Sequence, residues 1–339
     1  MRRTSRLLFG AALATAMIAG PGTMSAAAEA CGWQPTALPL PAGGISGVVS
    51  ATDHQGGFAG TVKFSDSTHI IGWKNGRITD YGSFSSRFGS IRVYDQNRAG
   101  TIVGSTTAGA PSIPPRITPF RTTGTGTETL PALTGATMTF PSAGINDKGD
   151  IAGGSRTSRS SPITAIRWPA SKPGTVEKIP GAPETANIAG LDEDGTVLVN
   201  VPESSLTQQR PHFLKDGKLT ALGKTTPNGD LRGESVSAGR VVGSLYYQNS
   251  AGQWVEDAVF WNTDGVARKL PNGETAVDIN RDGLSAGVAK NGQAAVWRLG
   301  ALDATLGADT VANTVGDDGA VAGSRKVNGV EQPTVWRCS

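Results

Sequence analysis

An all-β fold built from seven copies of a four-stranded unit is predicted by three features of the sequence. A turn of the form Asn/Asp-x-x-Gly recurs along the chain, an aromatic residue follows each turn at a steady interval, and nothing beyond residue 30 has the apolar period of an amphipathic helix. Composition points the same way. With 46 Gly and 20 Pro in 339 residues, 6% aromatic and 17% charged, the chain suits neither a helix-rich protein nor a polar disordered one. The length would ordinarily suggest two domains, but each unit of a repeat architecture adds its own core, so one domain over residues 31–339 is expected.

The N-terminus reads as an address. Arg2, Arg3 and Arg6 are followed by an apolar stretch over residues 7–19, and Ala28-Glu29-Ala30 offers an A-x-A cleavage site, the parts of a secretory signal peptide cut near Ala30. Thr4, Ser5 and Arg6 separate the Arg pair from the apolar stretch, which favours the general secretory route over twin-arginine export. No later segment approaches the length of a membrane span. Removing residues 1–30, with three Arg and one Glu, takes the formal charge from +3 to +1. That leaves no strong basic field, so neither nucleic acid nor an anionic membrane is expected as a partner.

Cys31 and Cys338 stand at the first and penultimate positions of the expected mature chain. An even cysteine count in an exported protein suggests a disulfide. The rival is a lipid-modified Cys31. Glu29 fits the lipoprotein signal badly, and that reading leaves Cys338 unpaired.

The turns come in order. They are Asp53-His54-Gln55-Gly56, Asn97-Arg98-Ala99-Gly100, Asn146-Asp147-Lys148-Gly149, Asp192-Glu193-Asp194-Gly195, the shorter Ser237-Ala238-Gly239, Asn280-Arg281-Asp282-Gly283 and Gly316-Asp317-Asp318-Gly319. Each leads into a short apolar run that ends in Gly60, Gly104, Gly153, Gly243, Gly287 or Gly323, with Val199 in the fourth. A β-branched stretch follows, closed by Trp73, Phe120, Trp168, Phe213, Trp261, Trp297 or Trp336, at intervals of 47, 48, 45, 48, 36 and 39. Tight turns such as Lys74-Asn75-Gly76 and Lys215-Asp216-Gly217 then lead into a leucine or isoleucine strand. Asn-Gly and Asp-Gly between strands are strong hairpin signals. Two hairpins per unit make four antiparallel strands, and that content at this period fits the blades of a β-propeller. Parallel β-helices use far shorter repeats.

The seventh unit ends at Trp336 with one strand missing, while residues 33–40 supply a spare one. The N-terminal strand is therefore expected to complete the last blade and remove two open edges. A Cys31–Cys338 bond would lock that seam.

The runs Ile145-Asn146-Asp147-Lys148-Gly149-Asp150-Ile151-Ala152-Gly153 and Ile279-Asn280-Arg281-Asp282-Gly283, each followed by an Ala-x-x-Trp strand, resemble the HAF-repeat extracellular proteins of bacteria, and the Arg- and Ala-rich leader resembles those of actinobacteria. The resemblance covers nearly all of residues 31–339. It implies a repeat type and export, without an assigned chemistry. The units around Gly195 and Gly239 depart from the Ile-Asn-x-x-Gly form.

Candidate chemistry is sparse. His54, His69 and His212 have no metal-ligand spacing, and no nucleophile elbow, phosphate loop or C-x-x-C pair is present. No cofactor, metal site or catalytic residue is expected. The Asp-rich turns at 192–195 and 317–319 could hold Ca²⁺, but they lack the further ligands of a full loop, and hairpin chemistry explains them. The recurring tryptophans could stack sugars; packing between blades is the simpler reading.

Strand parity separates two faces. Turns within each hairpin fall on one, and the longer strand-two-to-three and inter-unit links fall on the other, where function usually sits. Residues 105–115, 155–163, 200–211 and 244–254, with 82–89 and 223–232, bring Arg87, Arg156, Arg159, Arg210, Arg232, Tyr246, Tyr247 and Trp254 to that loop face. Arg with aromatic residues suits a carbohydrate or acidic polymer. The competing reading is a solvated face on which Tyr246 and Trp254 pair across their own hairpin. The expected function is that of a secreted, monomeric, non-catalytic module that binds cell-envelope glycan or a protein partner. The alternatives are an extracellular hydrolase or lyase acting on polysaccharide, which needs two carboxylates about 5–10 Å apart, and a purely structural role.

Overall fold

Four of the first hairpins are closed by the side chain that opens the turn. Asn97, Asn146 and Asn280 accept through Oδ1 the N–H of Thr101, Asp150 and Leu284 at 2.9–3.0 Å, and Asp53 does the same for Gly57 at 2.7 Å. The Gly at the fourth position takes a left-handed φ, such as 85° at Gly100 and 86° at Gly149, which costs a residue without Cβ little. In the second hairpins Asn75 and Gly76 sit at φ 52° and 72°, and Asp216 and Gly217 at 50° and 76°, the pair of positive values that a type I′ turn requires.

The computed structural model describes residues 32–83, 89–108, 115–203, 208–226 and 229–339; the leader, Cys31 and Arg87 lie outside them. Strands and turns account for these residues, and no helix among them is long and apolar enough to cross a membrane. The N-terminal β1 covers Trp33–Ala37. The first unit is β2 (Ser46–Thr52), β3 (Phe58–Lys63), β4 (Thr68–Lys74) and β5 (Arg77–Asp80). Next come β6 (Ser90–Gln96), β7 (Ile102–Ala108), β8 (Arg116–Thr123) and β9 (Gly126–Thr129), then β10 (Met138–Ile145), β11 (Ile151–Arg156), β12 (Thr164–Trp168) and β13 (Glu177–Lys178). They are followed by β14 (Asn187–Leu191), β15 (Val197–Pro202), β16 (Gln209–Lys215) and β17 (Lys218–Ala221), and by β18 (Asp230–Ser237), β19 (Arg240–Gln248), β20 (Trp254–Trp261) and β21 (Ala267–Lys269). The chain ends with β22 (Gly273–Ile279), β23 (Leu284–Ala289), β24 (Ala294–Arg298) and β25 (Ala301–Thr305), and with β26 (Thr310–Val315), β27 (Val321–Val327) and β28 (Val330–Cys338).

Hydrogen bonding groups these strands into five four-stranded sheets and one of eight. The eight-stranded sheet is two antiparallel meanders, β6–β9 and β10–β13, joined by a single parallel bridge between Met138 and Ile117. β1 completes the last sheet as expected: it runs antiparallel to β28, with Trp33 opposite Cys338 and Ala37 opposite Thr334. First strands touch in chain order, and β26 returns to touch β2, so the described units close on themselves.

The apolar core lies in slabs between neighbouring sheets. One slab packs Val103 and Leu130 against Ile145, Ile151 and Trp168; another packs Ala322 and Val335 of the last unit against Val49, Phe58 and Trp73 of the first. Four of the closing tryptophans also cross the seam with a hydrogen bond. The indole N–H of Trp73, Trp168, Trp261 and Trp297 donates to the carbonyl of Pro39, Pro131, Gly223 and Pro271 at 2.7–2.9 Å. Each acceptor follows the fourth strand of the preceding unit, so inter-unit packing is what these residues do.

Loop lengths depart in part from expectation. Strand-two-to-three links of six or seven residues follow β7, β11 and β15, whereas those after β19, β3, β23 and β27 have five or fewer. The last of these is an Asn328-Gly329 turn with φ of 52° and 80°. The link from β12 to β13, by contrast, spans residues 169–176. Extended loops thus occupy one arc of the loop face.

Candidate functional site

Every first strand carries a bulge at the same level. Register slips between Val49 and Ala51, Val93 and Asp95, Phe140 and Gly144, Ile188 and Gly190, Gly233 and Ser235, Ala276 and Asp278, and Ala312 and Thr314. A bulge turns an extra side chain inward. Ser50, Tyr94, Ser142, Ala189, Glu234, Val277 and Asn313 accordingly line an axial cavity of about 160 Å³. The bulge also explains the repeat-ending glycines: a Cβ at Gly60, Gly153, Gly243, Gly287 or Gly323 would stand 1.8–2.1 Å from the carbonyl oxygen of Val48, Phe140, Arg232, Thr275 or Val311.

The cavity wall holds carboxylates, and the backbone occupies them. Asp95 accepts from its neighbour Gln96 N at 2.8 Å and from Ile145 N of the next unit at 2.9 Å. Asp278 accepts from Ile279 N and Ser235 Oγ through one oxygen, and from Thr314 Oγ1 and Val315 N through the other, all at 2.7–2.9 Å. Desolvation pushes the Asp95 carboxyl up to about 7, against the bonds from Ile145 and Gln96 and the nearby His54, and with the Asp278 charge adding to the rise. Desolvation also raises Glu234 and Glu193.

A network that sequence reasoning missed caps the cavity at the turn face. The second residue of each turn is His54, Arg98, Asp147, Glu193, Ala238, Arg281 or Asp317. Arg98 pairs with Asp147 at 3.1 Å and Asp317 at 3.3 Å, Arg281 pairs with Asp317 at 2.8 Å, and Asp147 N donates to Glu193 at 2.9 Å. The signal was present as a column of opposite charges at one turn position. The Asp-rich turns are occupied in the same way: Asp192 takes the N–H groups of Ala238 and Gly239 at 3.0 and 2.8 Å, and Asp194 is bound by Lys215.

On the loop face the structure brings together Tyr246, Tyr247 and Trp254 on the β19–β20 hairpin. Tyr246 and Trp254 stack with ring centroids 4.8 Å apart and planes 4° from parallel, while remaining 43% and 62% exposed. Tyr247 lies under Lys269 Nζ, 4.3 Å from its ring centroid. Arg156 reaches the carbonyl of Arg159 at 3.0 Å. Arg210 and Arg232 are held apart from that pair, by the Leu222 carbonyl at 2.7 Å and by Asp230 at 2.6 Å.

The sequence matches no protein-family model and no curated protein. Among solved structures, the β-propeller domain of the trilobed protease from Pyrococcus furiosus is 11% identical, with 86% of this chain and 94% of that one covered and a TM-score of 0.56. The fold is a β-propeller. That archaeal domain is described as having an open velcro topology, whereas here β1 pairs with β28. A catalytically inactive virginiamycin B lyase from Staphylococcus aureus with quinupristin is 13% identical over 90% of this chain and 99% of that one, TM-score 0.49. A streptogramin B lyase is 13% identical over 91% and 98%, TM-score 0.47.

Proposed function

We propose that this chain is a secreted, seven-bladed propeller of the HAF-repeat type that acts by binding, and that its loop face takes a glycan of the cell envelope. The five four-stranded sheets, with the eight-stranded sheet divided at its one parallel bridge, support the blade count. Ser339 N donates to Gly32 O at 3.2 Å, beside the Trp33–Cys338 pair. A Cys31–Cys338 bond across this seam fits both, in a protein working as a monomer after cleavage near Ala30.

The observation that carries the binding role is the exposure of the Tyr246 and Trp254 rings, 43% and 62%, since pairing across their own hairpin accounts for the stacking itself. Large aromatic rings in contact with water are costly unless a ligand covers them, and a flat apolar face bordered by polar groups suits the C–H face of a sugar. The test is binding of cell-wall polysaccharide by the wild type and by Tyr246→Ala with Trp254→Ala. A loss of about tenfold, near 1.4 kcal/mol, is expected; equal binding rejects the site.

A polysaccharide hydrolase or lyase is the second reading, favoured by the raised carboxyls of Asp95 and Glu234 at the axial cavity. Asp95 is committed to two backbone N–H groups, and the cavity is small for a polymer. Release of reducing ends or unsaturated sugars by the wild type, abolished in Glu234→Gln, would favour that reading over binding alone.

A further inference from the structure

The loop face is electrically uneven, and the unevenness has a ligand chemistry. Arg92, Arg116, Arg156 and Arg159 reach it from the second and third blades, and among the described residues none of the four has a carboxylate within ion-pair range. Elsewhere arginines meet carboxylates on both faces: Arg98, Arg281 and Arg337 on the turn face and Arg232 on the loop face each pair with an aspartate. The described residues 81–83, 89–94, 103–108, 115–118, 131–143 and 154–166, which supply this arc, contain no Asp or Glu.

The parallel bridge brings the two blades' loop-side edges together: Met138 lies beside Ile117 on one side and Arg156 on the other, so with strands about 4.8 Å apart the Arg116 and Arg156 backbones are roughly 10 Å apart. Arg116 alternates with Ile117 along its strand, so the guanidinium groups are spread along the rim rather than joined in one cluster. Arg159 is tied to Arg156 through its carbonyl at 3.0 Å. Arg92 stands towards the axis, opposite Ser105, with its guanidinium 5.8 Å from the Tyr94 ring centroid. Around the arc the turn at 157–161 displays hydroxyls: Ser161 Oγ accepts from Thr157 N and Ser158 N at 3.1 and 2.9 Å.

We propose that this arginine arc binds an acidic polysaccharide, one that carries carboxylate, sulfate or phosphodiester groups along a hydroxylated chain. None of the cavities described is lined by the four side chains, so a lone small anion gains one exposed contact, whereas a polymer engages several forks at once. A hydroxyl-rich surround suits sugar, and among the described residues none of the large exposed apolar side chains lies in this arc to stack a nucleic-acid base. The proposal rests on the envelope-glycan reading for its source but uses different residues from the Tyr246–Trp254 platform.

The experiment measures binding of the full mature protein to polygalacturonate, poly(glycerol phosphate), neutral dextran and single-stranded DNA, at low salt and near 0.15 M. Two triple variants are compared: Arg116→Ala/Arg156→Ala/Arg159→Ala in the arc, and Arg77→Ala/Lys148→Ala/Lys218→Ala on the turn face as a charge-matched control. The two polyanion arms distinguish carboxylate from phosphate. The expected result is salt-sensitive polyanion binding, weakened at least about tenfold in the arc variant and within about twofold of wild type in the control. Absence of polyanion binding by the wild type, an equal loss in both variants, or DNA binding as tight and as sensitive to the arc would overturn the proposal. If the Tyr246→Ala/Trp254→Ala protein keeps polyanion binding, the arc stands whatever the outcome of the separate cell-wall polysaccharide test of the aromatic platform.

Discussion

At the scale of the residue, close backbone contact decides what is allowed. Gly60 faces a bulge in which a Cβ would meet the Val48 carbonyl oxygen at 1.9 Å, a distance no backbone adjustment in a packed blade absorbs. Gly60→Ala is expected to cost on the order of 3 kcal/mol in urea unfolding, with Gly76→Ala, in an open turn, acting only through its positive φ. Val199 holds the equivalent place in the fourth blade, paired with Ile188. Asp95 makes stability depend on pH. Its folded pKa of about 7 lies above the unfolded carboxylate value near 4, so between those limits the folded state holds a proton that the unfolded chain has released. Stability from this group is therefore present at low pH and falls as pH rises through the window. Unfolding at pH 5 and pH 8 should differ by on the order of 2 kcal/mol in this direction, and Asp95→Asn should flatten the slope.

At the scale of the element, the seam-crossing tryptophans carry both packing and a hydrogen bond. Trp168→Phe fits the space, since Phe120 and Phe213 fill the same position in other blades, but it leaves the Pro131 carbonyl without its 2.7 Å donor. A loss of about 1–2 kcal/mol is expected, against about 3–5 for Trp168→Ala, read from thermal melts. The hairpins were legible in the sequence because Asn-Gly, Asp-Gly and Asn-x-x-Gly act locally. So was the completion of the last sheet, because a missing fourth strand at one end matched a spare one at the other. The bulges were not legible. Their sign is a glycine on the facing strand, and only the paired backbone shows that its partner carbonyl points at it. The cap of Arg98, Asp147 and Asp317 left a trace, opposite charges at one turn position, but each residue looks like an ordinary solvated turn position until the ring sets them side by side. Of the loop-face candidates, Tyr246 and Trp254 were legible as a pair, while the arginine arc was half seen. Arg156 and Arg159 stood out, but Arg92 and Arg116 lie within strands, and the bridge that brings the two blades' edges together has no sequence signature.

At the scale of the molecule, closure turns a string of marginal four-stranded sheets into a ring without exposed seams. Non-covalent closure by β1 against β28 is in place, and a bond between Cys31 and Cys338 would add up to about 5 kcal/mol by the loop-entropy account. Reductant is expected to lower the melting temperature while leaving the β-sheet circular dichroism intact, and an unchanged melting temperature would remove the covalent seam. The same closure gives the two faces their division of labour: tight turns and the ion-pair cap of the cavity on one, the arginine arc and the exposed rings on the other. Hydrogen exchange of the mature protein with and without bound polygalacturonate reads that division in a single map. Slowed exchange should concentrate at the loop-face ends of β7, β8 and β11 and on the β19–β20 hairpin, with the turns at 53–56, 97–100 and 146–149 unchanged. Protection confined to those turns, or no change anywhere under saturating polysaccharide, would contradict it.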